Sequence, residues 1–204
     1  MQHAAFLREV DGKPALHQDL VKWFMTLPLW LDLPDIRVVH ACWHDGYMQK
    51  LKPHLTAKNQ LTSELMVAAS RAGQMEFLTA EGLTKGLEVK LPDGHSFKDK
   101  DEHERHNVRI RWWETQSLTY RDLALMPDAI RERLPAIPLI TDSRTPYDNA
   151  KPVFFGHYWM TGVPTMQTPT IACVDYSAAK DGPLVAYRWD GELTLDNANF
   201  VSVG

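Results

Sequence analysis

Cysteine is scarce in this chain: Cys42 and Cys173 are the only two in 204 residues, each inside an apolar, strand-like run. Two thiols so placed argue against a disulfide framework and fit a reducing, cytoplasmic compartment. Long hydrophobic runs are also missing. No stretch approaches the roughly 18 apolar residues of a membrane span, so no membrane partner is expected. The first ten residues lack the basic region and apolar core of a secretory signal, and their pattern is that of the middle of an amphipathic helix. Positive charge is not in excess. Twenty-two Lys and Arg face 26 Asp and Glu, for a net charge of -4, which excludes a strongly basic nucleic-acid surface. Neither G-x-G-x-x-G nor G-x-x-x-x-G-K-[ST] occurs, so dinucleotide and P-loop chemistry lack their phosphate cradles. No G-x-S-x-G elbow occurs, and there is no internal repeat or low-complexity tract.

What is there is an ordinary globular composition, 44% hydrophobic and 24% charged, sufficient for one domain or a domain with a large insertion. Leu16, Leu20, Val21, Phe24 and Met25 recur at helical spacing and predict an amphipathic helix over 15–26, ended by Pro28. Two apolar runs, 29–33 and 36–40, flank Pro34-Asp35 and predict a hairpin. Thr62 or Ser63 caps a helix expected to run to about Leu78. Runs 87–91 and 107–113 read as strands around the Pro92-Asp93-Gly94 turn, and the charge run 98–105 as a solvated loop. One or two short helices, broken at Pro127, are expected over 120–134. Four prolines within 135–152 mark a returning linker. Strands are expected over 153–158, 170–175, 184–189 and 200–203. The simplest organisation is a split core, 1–45 plus 147–204, with an inserted α+β cap over 46–146.

Chemistry concentrates at two histidines. Ile36-Arg-Val-Val-His40 and Val153-Phe-Phe-Gly156-His157 are apolar strands that each end in an imidazole. Open sheets place ligand sites at such strand ends, and neutral imidazole is a common metal ligand. Gly156 lets the backbone approach a metal or phosphate closely. His44 and Asp45 follow at the rim of the same site, suited to contact substrate or to orient the ligands. His95, His103 and His106 cluster in sequence, but no Cys joins them and their spacing fits no zinc motif. Cys42 shares a strand face with His40 and reads as core rather than nucleophile. Structural, hydrogen-bonded histidines remain the alternative to a metal site.

Val38-Val-His40-Ala-Cys-Trp-His44 resembles the V-H-A-G segment of calcineurin-like metallophosphoesterases, and Pro152-Val-Phe-Phe-Gly156-His157-Tyr-Trp159 resembles their final G-H segment. Ile171-Ala-Cys-Val-Asp175-Tyr-Ser177 and the run 184–189 look like the closing strands of the bacterial branch that holds diadenosine tetraphosphatases and serine/threonine phosphatases. The resemblance implies an α/β fold, a partial metallophosphoesterase β-sandwich flanked by helices, and a hydrolase acting on phosphate esters or dinucleoside polyphosphates. It makes His40 and His157 metal ligands, with His44, Asp45, Gly156 and Tyr158 as substrate-binding or supporting residues. The implied cofactor is a divalent metal: Mn, Ni, Zn or Fe. Three motifs of the family are missing: an Asp-x-His near the N-terminus, Gly-Asp-x-x-Asp-Arg-Gly, and Gly-Asn-His-Glu. Asp45, Asp142 and Asp175 are the carboxylates left to substitute, but none sits in a matching motif. The chain is therefore expected to be the C-terminal, truncated portion of such an enzyme. It should bind metal weakly or not at all, lack full activity, and self-associate through exposed core surface. The competing reading is a non-catalytic remnant that serves as a binding or structural module.

Overall fold

Pro34 and Asp35 reverse the chain between two short strands, and the rest of the main sheet is built outward from that hairpin. A computed structural model describes residues 4–98, 102–116, 119–140 and 144–204. β1 (Trp30–Asp32) and β2 (Arg37–Val39) pair antiparallel, with Trp30 opposite Val39. β7 (Val153–Phe155) then pairs parallel to β2, and β9 (Ile171–Cys173) parallel to β7. β8 (Met166–Thr168) closes the far edge antiparallel. The result is a mixed five-stranded sheet in the order β1-β2-β7-β9-β8. Its three central strands run the same way, so their C-terminal ends meet on one edge. β10 (Leu184–Tyr187) and β11 (Phe200–Val203) form a separate antiparallel ribbon. It packs toward the sheet through Phe154 and Tyr187, whose rings lie 5.1 Å apart. The fold is mixed α/β.

Two helices precede the sheet: α1 (Ala4–Val10) and α2 (Pro14–Met25), the latter starting on proline as a first helical turn allows. Between β2 and β7 lie α3 (Asp45–Leu51), α4 (Ser63–Ala69), α5 (Met75–Lys85), β3 (Glu88–Lys90), β4 (Phe97–Lys98), β5 (Glu104–Arg105), β6 (Asn107–Arg109), α6 (Tyr120–Leu123) and α7 (Asp128–Arg131). The expected single helix from Ser63 to Leu78 is two helices. Thr62 caps the first, its hydroxyl accepting from the Leu65 amide at 3.2 Å, but Gly73 takes a left-handed φ of 86° and turns the chain before the second begins. Helix α3 falls where the sequence pattern reads as loop. Strands β3 and β6 pair as expected. The charge run at their far end is exposed where it is described; Asp99, Lys100 and Asp101 lie outside the described residues.

Every strand of the main sheet comes from outside the segment 46–146, yet the hydrophobic core is continuous across it. Leu83, Leu87, Trp112, Trp113 and Tyr120 join Val153 and Phe155 in a single buried cluster. Trp112 packs edge-on to Phe155 at 5.3 Å between centroids. The segment 46–146 is therefore bound to the sheet by shared burial, the main source of stabilisation in such packing.

Candidate functional site

The parallel pairing of β2, β7 and β9 brings three polar side chains to one sheet edge. His40 follows β2 directly, Gly156-His157 follows β7, and Asp175 stands two residues beyond β9. The His40 and His157 rings lie 5.2 Å apart between centroids, tilted by 54°. Backbone hydrogen bonds tie the strand ends together: the Gly156 amide donates to the His40 carbonyl at 2.9 Å, and the Met160 amide to the Asp175 carbonyl at 2.9 Å. A Cβ at Gly156 would sit 3.4 Å from Cβ of Asp175 and 3.6 Å from the His40 carbonyl.

His157 adopts a left-handed φ of 70° and Trp159 one of 48°. Residues with a Cβ pay for that conformation, and such outliers concentrate at functional sites. The ring of His157 is half-buried while His40 is exposed. Burial, then the Arg109 charge and the His40 ring, push the His157 pKa down to about 4, against the opposing pull of Asp175. Neighbouring protein atoms partly desolvate the otherwise exposed His40 ring and lower its pKa too, again opposed by Asp175. Both imidazoles are consequently neutral at pH 7, with ring nitrogens free of the second proton, which is the form that accepts a proton or binds a metal.

The insertion fixes this edge. The Ala41 and Cys42 amides donate to the Leu83 carbonyl on α5 at 3.0 and 3.3 Å, and the Trp112 indole donates to the Ala41 carbonyl at 3.0 Å. It also supplies cations. Arg109 on β6 and Lys85 at the end of α5 both act electrostatically on His157. Arg109 reaches Glu88 at only 3.4 Å, and its buried Nε has no hydrogen-bond partner among the described residues. Sequence reasoning passed over Arg109 because the run Val108-Arg-Ile-Arg reads as strand alternation. The available signal was that Arg109 and Arg111 share one face of that strand.

The other expected site residues are placed differently. His44 caps α3: its Nδ1 accepts from the Tyr47 amide at 3.1 Å, its Nε2 lies 3.3 Å from the Thr145 hydroxyl, and its ring stacks on Tyr47 at 3.8 Å. Asp45 opens that helix, its carboxylate accepting from the Trp43 indole at 3.0 Å. Tyr158 turns into the core against Trp113 and Phe155, under the Arg109 guanidinium. Its buried hydroxyl has no partner among the described residues, and burial raises its pKa well above the ordinary phenol value. Cys42 is buried, with a thiol pKa pushed up by that burial. His95, His103 and His106 are exposed. Asp142 lies outside the described residues.

Among the described residues no three His, Cys, Asp or Glu side chains are grouped closely enough to hold a metal ion. Asp175 turns one carboxylate oxygen back to accept from the Ser177 amide at 3.0 Å. The described donors therefore do not make up a two-metal centre, which needs bridging carboxylate. Comparison with family models, curated proteins and solved structures finds no match to this chain. No helix among the described residues is long and apolar enough to cross a membrane.

Proposed function

We propose that this chain carries the histidine pair of a calcineurin-like metallophosphoesterase, a hydrolase of phosphomonoesters, phosphoproteins or dinucleoside polyphosphates. The observation that carries this reading is the meeting of His40 and His157, more than a hundred residues apart, at the ends of adjacent parallel strands with rings 5.2 Å apart. Both imidazoles are neutral at pH 7 for the reason given above. His40 and His157 would hold part of the coordination of a divalent ion, Mn, Ni, Zn or Fe, which would supply Lewis-acid chemistry toward a phosphate ester. The chain's own contribution is to orient two nitrogens on a rigid edge and to bring positive charge beside it. Arg109, whose charge acts on His157, suits the oxygens of a phosphoryl group, where charge accumulates, whereas Lys85 is engaged by Glu81 at 2.6 Å.

The test is calorimetric titration of the purified chain with Zn²⁺ and Ni²⁺ near neutral pH. One weakly bound ion per chain is expected, lost in both His40→Ala and His157→Ala. Heat of binding that survives both substitutions would sink the reading. A second reading, a non-catalytic binding module, draws on the want of a third donor beside the pair among the described residues. It expects phosphate to bind through Arg109 whether or not metal is present.

A further inference from the structure

Nε of Arg109 on β6 and the hydroxyl of Tyr158, the residue after His157, are both buried and bond to nothing among the described residues. They belong to neighbouring side chains. The Arg109 guanidinium carbon lies 5.9 Å from the Tyr158 ring centroid. A Cβ placed on Gly86 would collide with the Tyr158 hydroxyl and stand 3.5 Å from Cδ of Arg109, the atom bonded to Nε. Gly86 takes a φ of 85°, so backbone and space both demand glycine there. An unpaired buried hydroxyl is destabilising, and phenylalanine would fill the Tyr158 site without that penalty. The tyrosine ring is fixed, edge-on to Trp113 and Phe155 at 5.2 and 5.3 Å between centroids. Burial raises its pKa, so the hydroxyl stays protonated at neutral pH and can accept as well as donate. The outer end of Arg109 is held weakly. Its ion pair with Glu88 is 3.4 Å long, between side chains 30% and 48% exposed, where water screens the attraction.

We propose that Tyr158 is a positioning residue for Arg109: when the outer guanidinium nitrogens leave Glu88 for a tetrahedral oxyanion, Nε donates to the Tyr158 hydroxyl and fixes the cation beside the histidine pair. The inference rests on the phosphoesterase reading for the identity of the oxyanion. A guanidinium carries five N–H donors in one plane. Its outer nitrogens can serve the anion while Nε holds the side chain. One new bond then satisfies two buried atoms at once. Because it forms only with the anion bound, it adds to anion affinity and not to the stability of the empty chain.

The experiment titrates the full chain with inorganic phosphate by calorimetry, with and without Zn²⁺, and melts each variant without phosphate. Tyr158→Phe should bind phosphate about 2- to 12-fold more weakly. It should melt no lower than the parent chain, which separates lost positioning from lost folding. Arg109→Lys keeps the charge and lacks Nε, so adding Tyr158→Phe to it should change phosphate affinity no further. Glu88→Gln should tighten phosphate by up to about 5-fold by releasing the guanidinium. The Arg109 Nε–H proton resonance should move downfield on phosphate binding in the parent and not in Tyr158→Phe. Equal phosphate affinity in parent and Tyr158→Phe, or a loss that persists in the Arg109→Lys background, overturns the positioning role; weaker phosphate binding by Arg109→Lys alone would then leave the phosphoesterase reading standing. Phosphate affinity that depends on Tyr158 but on neither Zn²⁺ nor His40 supports the positioning role and removes the phosphoesterase reading instead. A parent chain that binds no phosphate in either condition overturns both.

Discussion

His157 holds an imidazole where its protonated form is penalised by partial burial and by the Arg109 charge. Its folded pKa of about 4 lies below the ordinary 6.5, so the unfolded chain binds the extra proton first as pH falls. Folding stability is thus unaffected by this residue above about pH 6.5 and declines as pH drops from there toward 4. Urea denaturation across that window should show a loss of about 2 kcal/mol that is missing in His157→Gln, after allowance for the part of the ring that water screens. A parallel pH dependence in both proteins would place the acid sensitivity elsewhere. The same neutrality governs metal affinity, which should fall once the rings take up protons.

At the scale of elements, the sheet edge depends on contacts made by the insertion. The Trp112 indole satisfies the carbonyl of Ala41, next to His40 in the chain, inside the core. Trp112→Phe keeps an aromatic ring and removes the donor, leaving a buried carbonyl unpaired at a cost of about 1–2 kcal/mol. It should also weaken Zn²⁺ binding at the histidine pair; unchanged affinity would show that His40 is positioned without this contact. A second joint lies at the opposite end of β2. The Arg37 guanidinium donates to Asp148 at 2.6 Å and Tyr147 at 3.2 Å, and lies over the Trp43 ring at 4.8 Å. Asp32, shared by Arg37 and Lys151, has a lowered pKa although burial alone would raise it. Arg37→Ala should cost roughly 2 kcal/mol by thermal melting, because it unties the returning segment 147–151 from β2 and strands the carboxylates.

At the scale of the molecule, apolar surface is distributed unevenly. Helix α2 contributes no buried residue, and Leu7, Leu16, Trp23, Phe24 and Leu27 are each more than 40% exposed along α1, α2 and the turn that follows. Exposed apolar faces of this kind promote association. Light scattering should show concentration-dependent self-association that Trp23→Glu combined with Phe24→Glu suppresses. A monodisperse monomer would count against it. The distribution of donors sets a second expectation. With two neutral imidazoles and no third donor grouped beside them among the described residues, the chain alone should turn over p-nitrophenyl phosphate or diadenosine tetraphosphate well below about 1 s⁻¹ with Mn²⁺, Ni²⁺ or Zn²⁺. Faster, His40-dependent turnover would reveal a complete site.

Local chemistry was sufficient to read much of this from the residues alone. Pro34-Asp35 favours a turn, Thr62 or Ser63 favours a helix cap, and apolar runs of three to five residues ending in His mark strands that stop at a polar edge. The helix break at Gly73 and the helix from Asp45 escaped because each depends on a single backbone choice that neighbouring propensities do not force. His44 and Tyr158 show the same limit: beside His40 and His157 in sequence, they are drawn by packing into a helix cap and into the core. That His40 and His157 share one edge follows only from the parallel pairing of β2 with β7. That the Arg109 charge acts on His157 follows only from how the segment between β2 and β7 folds back. Sequence periodicity encodes which face of a strand is buried; which strands become neighbours is decided by long-range burial across the whole chain.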